Sequence, residues 1–177
     1  MERGRRGDRE AYELLARSST RRLYNVALRI LRDQDRAEDA TQQALVAIWV
    51  DLPKLRDPER FEAWTYRLVV RASLAEARRE RRHSTNIRIV PGYEIAAADH
   101  PGTETRDELE RAFRRLSADH RAVIVLHHQI GLPLTEIATI LGLPYGTVGS
   151  RLHYGMQQLR AALRSAPDES RAKERLA

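Results

Sequence analysis

Two stretches of helical periodicity, separated only by Gly142, Leu143 and Pro144, constrain this 177-residue chain more than any other feature. Leu134, Ile137, Ala138 and Leu141 recur at spacings of three and four, which puts one apolar stripe on a short helix. Gly142 suits the left-handed conformation that ends a helix. Pro144, with a preset φ and no N–H, suits the first turn of the next. Val148, Leu152, Met156, Leu159 and Leu163 form the stripe of a longer second helix. Its other face carries Tyr145, Thr147, Ser150, Arg151, His153 and Tyr154, groups able to contact phosphates and base edges. A short helix, a turn containing Gly and a second helix with a polar face predict a helix-turn-helix within residues 133–163. A plain helical hairpin shows the same punctuation, so this stretch alone leaves simple packing open beside DNA binding.

The rest of the chain also reads as helix, with no strand-period segment, internal repeat or low-complexity tract. The spacing predicts one helix from Glu10 with Tyr12, Leu14 and Leu15, then a second with Leu23, Val26, Ala27, Ile30 and Leu31 that ends near Arg32 and Asp33. Asp35 is placed to cap the next helix, and Glu38 follows three residues later as in a capping box. Ala40, Ala44, Leu45, Ile48, Trp49 and Leu52 make its core stripe, while Asp39, Gln42, Gln43 and Val46 lie off it. Pro53 closes it. A turn-rich connector over residues 52–60 leads to a fourth helix at about 58–82, with Phe61, Trp64, Leu68, Leu74 and Ala75 inward. Arg67, Arg71, Arg78, Arg79, Arg81 and Arg82 leave that helix a basic side.

Residues 83–107 lose the periodicity and hold Pro-Gly breaks, as a linker does. A fifth helix starts near Thr105 or Asp107 and carries Leu109, Ala112, Phe113 and Leu116. Ser117 starts a sixth, with Ala122, Val123, Leu126 and Ile130 under the helix-turn-helix, and Gly131 ends it. The expected fold is all-α: a first domain over residues 10–83, a flexible linker over 84–106, a second domain with the helix-turn-helix over 107–164, and a tail over 165–177.

The net charge of +6 is unevenly spread. Residues 1–83 carry 19 basic and 14 acidic groups, residues 84–107 carry 2 and 4, and residues 108–164 carry 7 and 4. Two basic blocks flanking an acidic connector favour a polyanionic partner for each block, nucleic acid before membrane. Phe61, Trp64 and Tyr66 beside Arg67 and Arg71 suit single-stranded nucleic acid, where unstacked bases find a π-face and phosphates find charge. The same residues also read as core with one incidental surface Tyr. The chain has no cysteine, which excludes disulfides and thiolate metal sites and fits a reducing compartment. No apolar run approaches bilayer length and the charged N-terminus precedes no hydrophobic segment, so a soluble cytoplasmic protein without direct membrane insertion is expected. His127, His128 and Glu136, with His120 and His153 elsewhere, lack metal-ligand spacing. Neither a metal, a cofactor nor a catalytic residue is expected.

With both blocks laid out, the chain resembles the extracytoplasmic-function group of bacterial RNA polymerase sigma factors over residues of about 10–83 and 107–164. In the first block the resemblance rests on residues 37–49 (AEDATQQALVAIW), 61–67 (FEAWTYR) and the arginine-rich end of the fourth helix. In the second it rests on residues 116–121 (LSADHR), 136–138 (EIA), 141–142 (LG), 146–148 (GTV), 150–152 (SRL) and 159–160 (LR).

The resemblance implies a transcription initiation factor that is not an enzyme, with core RNA polymerase and promoter DNA as partners, an anti-sigma protein as its restraint, and no small-molecule substrate. Asp39, Gln42, Gln43 and Val46 would dock on the polymerase clamp coiled coil. Lys54, Arg56 and the loop to Arg60, with Phe61, Trp64 and Tyr66, would hold an extruded base of the promoter −10 element. Arg67, Arg71, Arg78 and Arg79 would track that strand's backbone. Tyr145, Thr147, Ser150, Arg151, His153 and Tyr154 would meet the −35 element in the major groove, and the acidic linker would thread polymerase channels. The chain departs from the family at Gly149 and Tyr154, where basic residues are common, at Ala72 and Glu76, and at Pro133 and Pro144, where Ser often caps each helix. The alternative is a free-standing helix-turn-helix regulator that binds duplex DNA without polymerase. It accounts for residues 145–163 but leaves residues 61–82 without a purpose.

Overall fold

The computed structural model describes residues 2–86 and 104–174, and all regular structure among them is helical. A short α1 (Glu2–Arg5) precedes α2 (Arg9–Leu31), which Asp8 caps by accepting from the Ala11 N–H at 3.0 Å. One continuous α2 replaces the two helices expected there. The polar stretch at its middle does not break it, because Ser18 and Thr20 turn their hydroxyls back to the carbonyls of Leu15 and Ala16. Arg32 ends α2 in the left-handed conformation, φ 62°, with its N–H on the Leu28 carbonyl. Asp33, rather than Asp35, then caps α3 (Gln34–Asp51) through the Arg36 N–H at 3.0 Å.

Pro53 lies in a single 3₁₀ turn, Leu52–Lys54, and Asp57 caps a second, Pro58–Arg60. The fourth helix, α4 (Phe61–Asn86), follows directly. The three long helices bury one another. Ala37, Ala40 and Ala44 keep α3 close enough for Leu23, Val26, Ile30, Ile48, Val69 and Val70 to be fully excluded from water. Thr41, Thr65 and Ser73 enter this core without leaving a donor unpaired, since each donates to the carbonyl of Ala37, Glu62 or Val69 on its own helix. Arg22 fixes the start of α4 to α2: it pairs with Glu62, donates to Thr65 Oγ1 and lies 5.0 Å over the Tyr66 ring.

The second set begins with α5 (Glu104–Arg115) and α6 (Ala118–Ile124), the latter capped by Ser117. The last turns of α6 widen into a π-helical segment, Val125–Gln129, and Gly131 at φ 81° turns the chain into α7 (Leu134–Leu141). Gly142, φ 65°, ends α7, and α8 (Tyr145–Glu174) runs on well past Leu163, the last apolar position of its stripe. Ala122, Val123, Leu126, Ile137, Ile140 and Val148 form the buried centre of this set.

The two sets dock on one another. Helices α6 and α7 touch α2 and α4, and one apolar cluster runs without a break from Leu23 through Val70 to Ile137 and Val148. Four residues expected inside lie further out: Leu14, Trp49 and Leu109 are exposed, and so is Ala75. On α4 the buried side is instead the arc of Thr65, Tyr66, Val69, Val70, Ser73 and Leu74, because neighbours cover it from two directions. Of the expected linker, residues 87–103 lie outside the described residues, as do residues 175–177 of the tail.

Candidate nucleic-acid interface

The tight turn at Gly142 aims the start of α8 into solvent. The Pro144 carbonyl accepts from the N–H groups of Thr147 and Val148 at 2.9 and 3.2 Å, and Val148 is buried beneath. Tyr145, Gly146, Ser150, His153 and Tyr154 therefore turn outward, with Gly149 and Thr147 half-buried at their edge. His153 and Tyr154 meet edge to face at 5.5 Å. A methyl group on Gly146 or Gly149 would have nothing within 4 Å, so the backbone itself can approach a partner closely on this face. Arg151 is not on the open face. Its side chain is only 26% exposed, and its Nη1 donates to Asp119 Oδ1 of α6 at 3.0 Å. Gln157 and Arg160, both exposed four and seven residues beyond His153, continue the outward stripe. The spacing signalled them, but attention to polar groups near the turn passed them over.

A second surface lies on α4. Trp64, Arg67, Arg71 and Arg78 share one side at spacings of three, four and seven, with Arg71 and Arg78 exposed and Trp64 and Arg67 half-buried. Phe61 and Trp64 stand 6.0 Å apart, tilted by 43°. Arg79 is exposed beside Glu76 at 3.3 Å, and in the preceding loop Lys54 pairs with Asp51 while Arg56 is exposed. Tyr66 does not belong to this surface. It is 4% exposed, its hydroxyl donates to Glu62, and burial raises its pKa above the ordinary tyrosine value. The cluster of aromatics and arginines in the sequence thus divides, with Tyr66 in the core and Phe61 and Trp64 at the rim.

A third surface is on α3. Asp39, Gln42, Gln43 and Val46 are all exposed, and Val46, at 63%, is joined by Val50, Trp49 and Leu14. Tyr12 props this patch from α2: its hydroxyl donates to the Leu45 carbonyl at 2.6 Å and its ring meets Trp49 edge-on at 4.7 Å. Exposed apolar side chains next to carboxamides make a surface suited to a protein partner. Among the described residues no three His, Cys, Asp or Glu side chains gather as a metal site would need, and no helix is long and apolar enough to cross a membrane.

A helix-turn-helix, a helix lined with arginine and tryptophan, and a third face fit for a protein define a DNA-binding protein of two helical domains that works with a partner. Residues 15–83 match the family model of sigma-70 region 2, and residues 106–159 match that of sigma-70 region 4. The chain is 36% identical over 154 residues to the ECF RNA polymerase sigma factor SigL of Mycobacterium tuberculosis, covering 80% of this chain and 82% of that one. It is 31% identical over 175 residues to the ECF RNA polymerase sigma factor SigE of Mycolicibacterium smegmatis, covering 93% and 67%. The fold is similar to that of the sigma factor RpoE in complex with the anti-sigma factor NepR from Bartonella quintana, with a TM-score of 0.67 at 24% identity over 89% of this chain and 97% of that one. It is also similar to CnrH in complex with the cytosolic domain of CnrY, with a TM-score of 0.63 at 24% identity over 93% and 94%. The chain belongs to the extracytoplasmic-function family of RNA polymerase sigma factors. Its partners are core RNA polymerase and promoter DNA.

Proposed function

We propose that the three exposed surfaces divide promoter recognition among them. The α3 face, with Asp39, Gln42, Gln43 and Val46, docks on the polymerase clamp coiled coil. Phe61 and Trp64, with Lys54 and Arg56 in the loop before them, hold an extruded base of the −10 element, and Arg67, Arg71, Arg78 and Arg79 follow its backbone. Tyr145, Ser150, His153 and Tyr154 meet the −35 element in the major groove, with Thr147 and Arg151 at the margin. Residues 10–83 then work as the clamp-binding and melting domain, residues 107–164 as the −35 reader, and residues 84–106 as the tether between them. Binding energy rather than bond chemistry drives melting, so the protein needs no catalytic group. Such a protein works on chromosomal DNA in the cytoplasm. An anti-sigma protein of the kind found on the two structural neighbours restrains it.

The observation that carries this reading is the face of Trp64, Arg67, Arg71 and Arg78, which a duplex-binding regulator would not need. Reconstitution tests it. Core polymerase with this protein should initiate from a specific promoter, and the protein lacking residues 133–164 should not recognise the −35 element. Strong sequence-specific duplex binding by the protein alone, with no activity in the presence of core, would favour the free-standing regulator instead.

A further inference from the structure

Charge holds the seam between the two docked sets of helices. Arg32, at the end of α2, pairs with Glu110 of α5. Arg81, near the end of α4, reaches Asp119 of α6 at 3.6 Å, and the same carboxylate takes Arg151 of α8 at 3.0 Å. These two acids stand among crowded cations. Burial, Arg114 and Arg29 lower the pKa of Arg32; burial, Arg32 and Arg81 push that of Arg121 down to about 10. The seam is therefore drawn together through Glu110 and Asp119 and pushed apart by Arg32, Arg81, Arg114 and Arg121. Half-exposed ion pairs of this kind are weak and sensitive to salt.

The docked arrangement is also too short for a promoter. Elements at −35 and −10 lie about two duplex turns apart, roughly 70 Å at about 3.4 Å per base pair. A compact chain of this length has a radius of gyration of about 16 Å. Residues 87–103 can span at most about 60 Å when fully extended, so the chain has the reach only once the seam opens. Arg81 also sits in the run with Arg78, Arg79 and Arg82, where strand phosphates compete with Asp119 for it.

Resting on the sigma-factor reading above, we propose that Glu110 and Asp119 form a charge latch that keeps the two DNA-binding modules docked in the free chain and is released when the chain spans a promoter. Opening and DNA binding then favour each other reciprocally, because the docked form cannot reach both elements.

The chain has no cysteine, so Glu38→Cys and Gln158→Cys, both at exposed positions, accept a donor and an acceptor dye on the full protein. In the free protein, energy transfer should be high at low salt. It should fall as NaCl rises from about 0.05 to 0.5 M, over which screening shortens from roughly 14 to 4 Å. Glu110→Gln should lower transfer at low salt, Glu110→Arg should lower it further, and adding Arg32→Glu to Glu110→Arg should restore it. Asp119→Asn acts in the same direction but also releases Arg151, so the charge swap is the cleaner arm. The Glu110→Arg protein should bind a duplex carrying both elements about tenfold more tightly without polymerase, as when an open fraction of about a tenth becomes dominant. The latch is overturned if native transfer ignores salt, or if Glu110→Gln and Glu110→Arg both keep native transfer with helicity intact, or if the swap restores nothing. Transcription by the native protein with core polymerase reads the sigma assignment separately, so failure of one does not mask failure of the other.

Discussion

Gly155 of α8 faces Ile124 of α6 with no room for a side chain between them: a methyl at Gly155 would sit 3.0 Å from Ile124 Cδ1 and 3.2 Å from His120 Cβ. The angle at which α8 crosses α6, and with it the presentation of Tyr145 to Tyr154, is thus set by the absence of a Cβ. Gly155→Leu should cost about 2–3 kcal/mol in denaturant unfolding and weaken −35 binding in step. Gly155→Ala should cost less, because about 1 kcal/mol of helix propensity offsets the crowding. Native stability in the Leu variant would show that the crossing has slack.

Gly149 should respond with the opposite sign. Its Cβ position is open, so Gly149→Ala should stabilise the protein by about 1 kcal/mol through propensity alone. Gly149→Arg adds a cation on the same side as Ser150 and His153. In duplex-binding titrations it should steepen the dependence of log affinity on log salt by about 0.9, the release expected for one further phosphate contact. An unchanged slope would place this side of α8 away from the DNA backbone.

The helix-turn-helix was legible because its punctuation is local: Gly142 and Pro144 fix the turn whatever surrounds it. The exposed row of Asp39, Gln42, Gln43 and Val46 was legible for a similar reason, since four positions off one apolar stripe must face elsewhere. Tyr66 was not. Its burial depends on Arg22 of α2 arriving over its ring and on Glu62 taking its hydroxyl, partners that no spacing within α4 announces. Arg151 was misplaced for the same reason, because Asp119 lies on another helix. Leu14 and Trp49 show the converse error: both fit an apolar period, yet their sides of α2 and α3 are left open by the neighbouring helices. Periodicity reports that a face exists, and only packing decides which neighbour covers it.

Asp8 gives the first domain a pH-dependent support. Its pKa is held below the ordinary 3.8, first by the Ala11 N–H it caps and next by Arg3 at 2.7 Å. A depressed folded pKa contributes stability that is present above the unfolded value and is lost as pH falls through the folded one. The Tm difference between the native protein and Asp8→Ala should therefore be full at neutral pH and shrink once pH falls below 3.8. A difference that stays constant from pH 7 to pH 3 would remove Asp8 from the cap.

Trp64 and Arg71 should separate melting from duplex binding. Trp64 stands at the rim beside Phe61, and Arg71 is exposed two helical turns along the same side, so neither change empties the core. With core polymerase, Trp64→Ala should lose about 1–3 kcal/mol of open-complex stability, the usual worth of one base stacked on an aromatic ring. Arg71→Ala should reduce the salt dependence of that step instead. Closed-complex formation should hardly change in either. Permanganate reactivity at −10 thymines reads the difference, and normal reactivity in both variants would move the melting surface elsewhere.

The α3 surface predicts which changes abolish function without touching DNA or stability. Val46 and Val50 lie four residues apart, exposed at 63% and 58%, and Trp49 between them is steadied by Tyr12 rather than buried. A charge at either valine stays in water in the free protein, so Val46→Asp should leave unfolding within about 0.5 kcal/mol of native. In a protein interface the same carboxylate loses its water without gaining a partner, and a few such central positions carry most of the affinity. Val46→Asp should therefore weaken association with core polymerase by at least about 2 kcal/mol, roughly thirtyfold in Kd. Gln42→Ala, a truncation at the polar margin, should cost less than about 1 kcal/mol. The duplex affinity of the isolated protein serves as the internal control, since α8 lies on other elements. Core binding unaffected by Val46→Asp would mean that the polymerase docks away from α3, whatever the promoter data show.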